Sequence, residues 1–255
     1  MTTMEPKLAE RRKGVSEDRA RGRLKWVLII IVFLLAVVGG VWLIRSPLLS
    51  IKTVTVTGAT MSNPLNFVND LGMGQGTPTI DVDGQAIERA ILADPWVREA
   101  RVTVGWPGRI EIAVLEHTLF ASVLAADGWV RVSVEGSVLA VDEPMPDAPV
   151  IEIDAGPVPA GYSISNPLIV GALEFAAALP TEMARRVVIA DDGEGLIASV
   201  DGHQVVLGRP AEMREKAIVL ASLIDNGLEA GAHVNLIAPL RPAVTNPQPL
   251  QEVEQ

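Results

Sequence analysis

The run "WVLIIIVFLLAVVGGVWLI", residues 26–44, holds nineteen consecutive positions without a charge. As a helix it extends roughly 28 Å, which matches the hydrocarbon core of a bilayer. None of its faces is polar, so it does not read as the helix of a soluble core. Lys25 and Arg45 bracket it, and Trp26 and Trp42 lie near its ends, where indoles favour the membrane interface. It is longer than the apolar segment of a cleaved signal peptide and is followed by "RSPLL" rather than a small-x-small exit, so it is expected to stay as an anchor.

Charge orients that anchor. Residues 1–25 carry eight Lys or Arg against four Asp or Glu, whereas the sequence beyond Arg45 sums to -15 within a chain total of -10. The basic flank predicts a single pass with the amino terminus in the cytoplasm and everything after residue 45 outside. Residues 1–25 show no apolar period and are expected to be a disordered cytoplasmic tail. The acidic body disfavours nucleic acid. The absence of cysteine removes disulfides, thiol nucleophiles and thiolate metal sites without deciding the compartment.

Beyond the anchor, "LLSIKTVTVTG" (48–58) sets Val54 and Val56 against Thr53, Thr55 and Thr57, the alternation of a strand. "SNPLNFVNDLG" offers Asn63 as cap, Pro64 as first helical residue and Leu65, Val68 and Leu71 as an apolar face. In "DVDGQAIERAILADP" the cap is Asp83 or Asp81 and the buried stripe Ile87, Ile91 and Leu92. "WVREARVTVGWPGRIEIAV" then reads as two half-buried strands, with Ala100, Val102 and Val104 on one face of the first and Ile110, Ile112 and Val114 on one face of the second. "GWPG" joins them as a hairpin. Trp96 is expected to cover the end of the second helix, and Trp106 to pack at the hairpin mouth. The order β-α-α-β-β makes a three-stranded sheet backed by two helices.

These elements resemble a polypeptide-transport-associated (POTRA) domain, and with one transmembrane helix directly before it the chain resembles the FtsQ/DivIB family of bacterial cell division proteins. The residues that carry the resemblance are "IKTVTVTGA", "IDVDGQAIERAILADPWVREARV", "GWPGRIEIAVLEHTLFA" and "GWVRVSVEGSVLAV", over about 51–141. The fold class is therefore α+β, divided into a tail (1–25), a transmembrane helix (26–44), a POTRA domain (50–117), a second β domain with flanking helices (118–244) and a disordered tail (245–255).

The second domain has its own signals. "GWVRVSVEGSVLAV" reads as two strands about Glu135-Gly136, "NPLIVGALEFAAALP" as a helix, and residues 185–208 as three short strands with turns at 191–195 and 201–202. "RPAEMREKAIVLASLIDNGLEAG" is an amphipathic helix with Pro210 in its first turn and Glu212 and Lys216 paired on the solvent side. "AHVNLIAPLRPAV" alternates until Pro239 and Pro242 interrupt it, which confines it to an edge of a sheet.

No reaction is indicated. His117, His203 and His233 fall in three separate elements, and "GMGQG" (72–76) lacks the Gly-Lys-Ser/Thr end of a phosphate loop. Asp81 and Asp83 fit a cap, and Asp191, Asp192 and Glu194 fit a solvated turn better than a carboxylate pair or a calcium loop. No catalytic residue, cofactor or metal is expected, and the protein is read as a binding protein rather than an enzyme. A membrane-tethered cell-wall enzyme and a POTRA-type secretion or assembly chaperone are the alternatives. The resemblance implies a scaffold of the divisome that links early and late division proteins and binds the small bitopic partners FtsB (DivIC-like) and FtsL, with residues 26–44 in the lipid bilayer at the septum. Carried onto this chain, the partner edge is Val234, Leu236, Ile237, Arg241 and Val244. Residues 209–214, on the helix before that edge, are a second candidate.

Overall fold

The computed structural model describes residues 6–246, with side chains from residue 25 onward. Helix α1 runs Pro6–Ile44. It starts well ahead of Trp26, so residues 6–25, expected to be disordered, are helical. Leu, Ala, Lys, Arg and Glu dominate that stretch, and extending an existing helix avoids the cost of nucleating one. Residues 1–5 lie outside the described residues. Lys25–Ile44 is, among the described residues, the helix segment long and apolar enough to cross a membrane, and none of it is buried.

Next come β1 (Thr53–Thr57), α2 (Pro64–Asp70), α3 (Gly84–Ile91), β2 (Val97–Gly105) and β3 (Arg109–Glu116), the strands forming a sheet in the order β1-β3-β2. β3 buries Ile110, Ile112 and Val114 and exposes the residues between them. Asp83 is the cap of α3: its Oδ1 accepts from the Gln85 and Ala86 amides at 2.9 and 3.1 Å. Ile87 and Ile91, one turn apart, are fully buried, each contributing about 2–3 kcal/mol of apolar burial. Leu65, Leu71 and Leu92 were expected beside them but stay exposed, because helices this short turn only one row of side chains inward and Val68 occupies it on α2. Trp96 is half-buried, as a covering residue should be, whereas Trp106 is 57% exposed and does not pack at the hairpin mouth.

The far end of this sheet is tied by one carboxylate. Glu116 accepts hydrogen bonds from the amides of Thr60, Met61 and Ser62 at 2.7–3.1 Å and from the hydroxyls of Thr60 and Ser62. Its burial alone favours the protonated form, but the bonds from Ser62 and Thr60 outweigh it and lower its pKa from 4.5 to about 2. A depressed carboxyl stabilises the fold above its unfolded value and loses that contribution as pH falls through the folded one. Between about pH 4.5 and 2 the protein is therefore expected to lose stability that a Glu116→Gln variant lacks at every pH. Allowing for its partial exposure, the loss is about 2 kcal/mol, read as the difference between the two denaturant curves at pH 7, a difference that should narrow as pH falls from 4.5 towards 2 and close only below it.

By backbone proximity the chain falls into two compact units, Met1–Val56 with Leu65–Ile87 and Val102–Ile112, and Thr57–Pro64 with Glu88–Arg101 and Ala113–Gln255. The second contains β4 (Leu119–Ala125), β5 (Gly128–Ser133), β6 (Val138–Val141), β7 (Val150–Glu152), α4 (Pro167–Ala178), α5 (Thr181–Ala184), β8 (Val188–Asp191), β9 (Leu196–Val200), β10 (His203–Gly208), α6 (Met213–Asp225), β11 (His233–Asn235) and β12 (Ala243–Thr245). These strands make one nine-stranded sheet, β12-β11-β10-β9-β8-β7-β4-β5-β6. The pairs β4/β7, β7/β8 and β10/β11 are parallel, so α4 and α6 lie in crossovers between parallel neighbours and pack side by side. Phe175, Ile169 and Leu173 of α4, and Ala217 and Leu220 of α6, close the core over Ile151, Ile189, Leu196 and Val205.

Asn166 caps α4 through its side chain, which accepts from the Leu168 amide at 3.0 Å. A Cβ on Gly171 would stand 2.5 Å from Pro210 Cβ, so a small residue lets α4 pass the segment that leads into α6. That helix begins at Met213, not near Pro210, because Glu212 takes a left-handed conformation (φ 55°) outside it. Lys216 is buried, not on the solvent side; its Nζ donates to the carbonyls of Leu207 at 2.8 Å and Arg209 at 3.1 Å. The tail expected over 245–255 falls, from residue 247, outside the described residues.

Candidate partner-binding edge

The carboxyl end of the sheet is built by chain reversal. β11 runs parallel to β10, with Val205 opposite Val234, and β12 returns antiparallel to β11, with Val234 opposite Val244. Between them Asn235 Oδ1 accepts from the Ile237 amide at 3.0 Å, and the Arg241 amide donates to Ala238 O at 3.0 Å. These two turns, with Pro239 and Pro242, end β11 and reverse the chain. β12 is the terminal strand of the sheet, and all three of its residues are exposed.

The structure divides the expected site residues. Ile237 is 58% exposed, Val244 is 41% exposed, and Arg241 is exposed as well. Val234 and Leu236 are buried in the hydrophobic core, and the Leu236 amide donates to Val206 O at 2.8 Å. Their side chains face the helices rather than an incoming partner. Leu240, inside the expected edge but not singled out in it, is 95% exposed between the two prolines. A leucine in a turn belongs to no period, and its only signal is that it is apolar where a turn is usually polar.

What remains exposed is a short strand that, among the described residues, ends the sheet, flanked by Ile237, Leu240 and Val244 and by the cation of Arg241. Such an edge takes another strand, its backbone supplying hydrogen bonds and its side chains the selectivity. In the segment 209–214, Met213 is in the core and the Arg209 carbonyl accepts from Lys216, while the side chains of Arg209, Glu212 and Arg214 are exposed.

Asp191, Asp192 and Glu194 sit in a turn, whereas His117 Nδ1 lies 3.7 Å from Glu135 Oε2. Asp191 Oδ1 accepts from the Gly193 amide, and Asp192 Oδ1 from the Glu194 and Gly195 amides, as a hairpin turn requires. His203 is buried on β10 and His233 exposed on β11, and successive positions across this register point to opposite faces.

Comparison with known proteins follows the same outline. Residues 49–117 match the family model of the POTRA domain, FtsQ-type. The chain is 26% identical over 221 residues to the cell division protein FtsQ of Mycobacteroides abscessus, covering 86% of this chain and 69% of that one. FtsQ of Corynebacterium glutamicum is 24% identical over 199 residues (76% of this chain, 87% of the relative), and FtsQ of Streptomyces collinus 26% identical over 233 residues (87% and 88%). Residues 49–117 thus match an FtsQ-type POTRA domain, and the chain is similar to FtsQ cell division proteins over most of its length, with an apolar helix long enough to cross a membrane ahead of that domain.

Proposed function

We propose that the protein is a scaffold of the divisome that holds bitopic division proteins by the β12 edge and links early to late components during septum formation. Helix α1 crosses the cell membrane with its basic flank in the cytoplasm, and the POTRA domain (50–117) and the carboxyl-terminal domain (118–244) lie outside, at the septum. The partners are the extracytoplasmic segments of FtsB/DivIC-like and FtsL-like proteins, together with further divisome members. The observation that carries this reading is the exposed terminal strand Ala243–Thr245 with Leu240 beside it.

The test is a binding titration of the full-length, detergent-solubilised chain with the extracytoplasmic segments of FtsB-like and FtsL-like proteins. Leu240→Asp and Val244→Lys are expected to weaken binding about tenfold or more, since each puts a charge where an apolar contact is desolvated. Both side chains are exposed in the free protein, so folding should be unaffected. Failure of the intact chain to bind any of these segments removes the scaffold reading. Undiminished binding by both variants places the contact elsewhere.

A further inference from the structure

Two segments of the POTRA domain converge on the residues that follow the membrane helix, which form the third segment of this end. α1 ends at Ile44, Arg45 and Ser46 make the exit, and Pro47–Leu49 form one 3-10 turn. Residues 76–79 are stapled to this exit: the Ile51 amide donates to Thr77 O at 2.8 Å, the Gly76 amide to Ile51 O at 2.9 Å, and Thr79 Oγ1 to Leu49 O at 2.6 Å. The β2–β3 hairpin tip is stapled there too, the Lys52 amide donating to Gly108 O at 2.7 Å. Gly108 (φ +71°) lies so close that an added Cβ would be 2.2 Å from Ser50 O.

Each segment leaves one large apolar side chain bare at this end: Leu48 at 67% exposure, Ile80 at 54% and Trp106 at 57%. Leu48 follows Ile44 by only Arg45, Ser46 and Pro47, a path of about 10–15 Å at the rise of extended and 3-10 backbone. Ile80 adjoins Thr79, and Trp106 is two residues from Gly108, so both lie close in sequence to a contact with the exit. Arg45, Lys52 and Arg109 are exposed nearby, with the acidic Asp81 and Glu111 among them, Glu111 Oε1 lying 3.6 Å from Arg109. Apolar side chains that include an indole, among cations and a short chain length from the hydrocarbon, suit a lipid surface.

We propose that Leu48, Ile80 and Trp106 seat the POTRA domain on the outer face of the bilayer that α1 crosses. The proposal rests on α1 as a membrane span, and its occupant is lipid rather than a protein. The seat fixes the domain against the membrane instead of leaving it to swing on the exit turn.

The chain has no cysteine, so single spin labels can be placed in the full-length protein reconstituted in phosphatidylethanolamine–phosphatidylglycerol vesicles. Labels at Leu48→Cys, Ile80→Cys and Trp106→Cys are expected to lie about 5–10 Å below the headgroup surface by oxygen and nickel collision rates. A label at Met61→Cys, exposed at the Glu116 end of the sheet, should be in water. Water at 80 and 106 with lipid at Leu35→Cys overturns the seat and keeps the anchor. Water at 35 overturns the anchor itself. Labels at 80 and 106 that leave water only when other division proteins are added make the occupant a protein and likewise overturn the proposal.

Discussion

Leu236→Lys is expected to unfold the carboxyl-terminal sheet, costing more than about 4 kcal/mol, rather than to trim a partner contact. Leu236 is fully buried in the cluster that includes Val205, Leu207 and Val234, so the substitution both removes its packing and forces an ammonium into an apolar site. Lysine could carry its charge outward only by displacing the backbone that bonds Val206. The measurement is denaturant unfolding of the solubilised full chain by near-ultraviolet circular dichroism. Ile237→Lys, one residue on and 58% exposed, should stay within about 0.5 kcal/mol of the parent. A folded Leu236→Lys protein with parental stability would show that the edge is packed differently from this description. Loss of partner binding by Leu236→Lys would therefore not test the proposed interface, whereas Leu240→Asp and Val244→Lys test it without disturbing the core.

That contrast shows what periodicity can and cannot supply. The alternation in "HVNL" was legible and correctly paired Val234 with Leu236 on one face. It did not say whether that face met the core or a partner, because both are apolar environments. In the three-stranded sheet the ambiguity does not arise: Ile110, Ile112 and Val114 alternate with polar residues, and Ile87 and Ile91 repeat at one helical turn after an Asp83 cap. β4 and β7 were harder to read. Ala121, Ser122 and Val123 are successive and all buried, so β4 has no wet face, and β7 is only three residues long. Their parallel pairing joins residues 122 and 150, which no local pattern encodes. The apolar helix and the POTRA order were thus visible in the residues, whereas the nine-strand order and the division of the edge into core and surface arise from long-range packing. Trp106 marks the same limit: its neighbours predicted the hairpin, but not that its ring stays 57% exposed.

Lys216 is where local reasoning failed most clearly, and it carries the second large effect. Spacing from Glu212 suggested a solvent pair, yet Glu212 lies outside the helix and the lysine stem is buried with its Nζ on two carbonyls. Lys216→Ala is expected to cost about 3 kcal/mol, combining lost burial of the stem with an unsatisfied Leu207 carbonyl. Lys216→Met keeps much of the packing and should cost about 1–2 kcal/mol, since relief from burying a charge offsets part of the lost hydrogen bonding. Desolvation by burial lowers the Lys216 pKa below 10.5, and the charge of Glu212 restores only part of it. Between that lowered value and 10.5 the unfolded chain binds the extra proton, so the contribution of Lys216 to stability rises with pH across the window. The parent should accordingly gain on the Lys216→Met variant as pH is raised towards 10.5, with unfolding curves compared at each pH. A constant gap between the two proteins would mean that the ammonium is solvated, and the carbonyls of Leu207 and Arg209 would then need another donor.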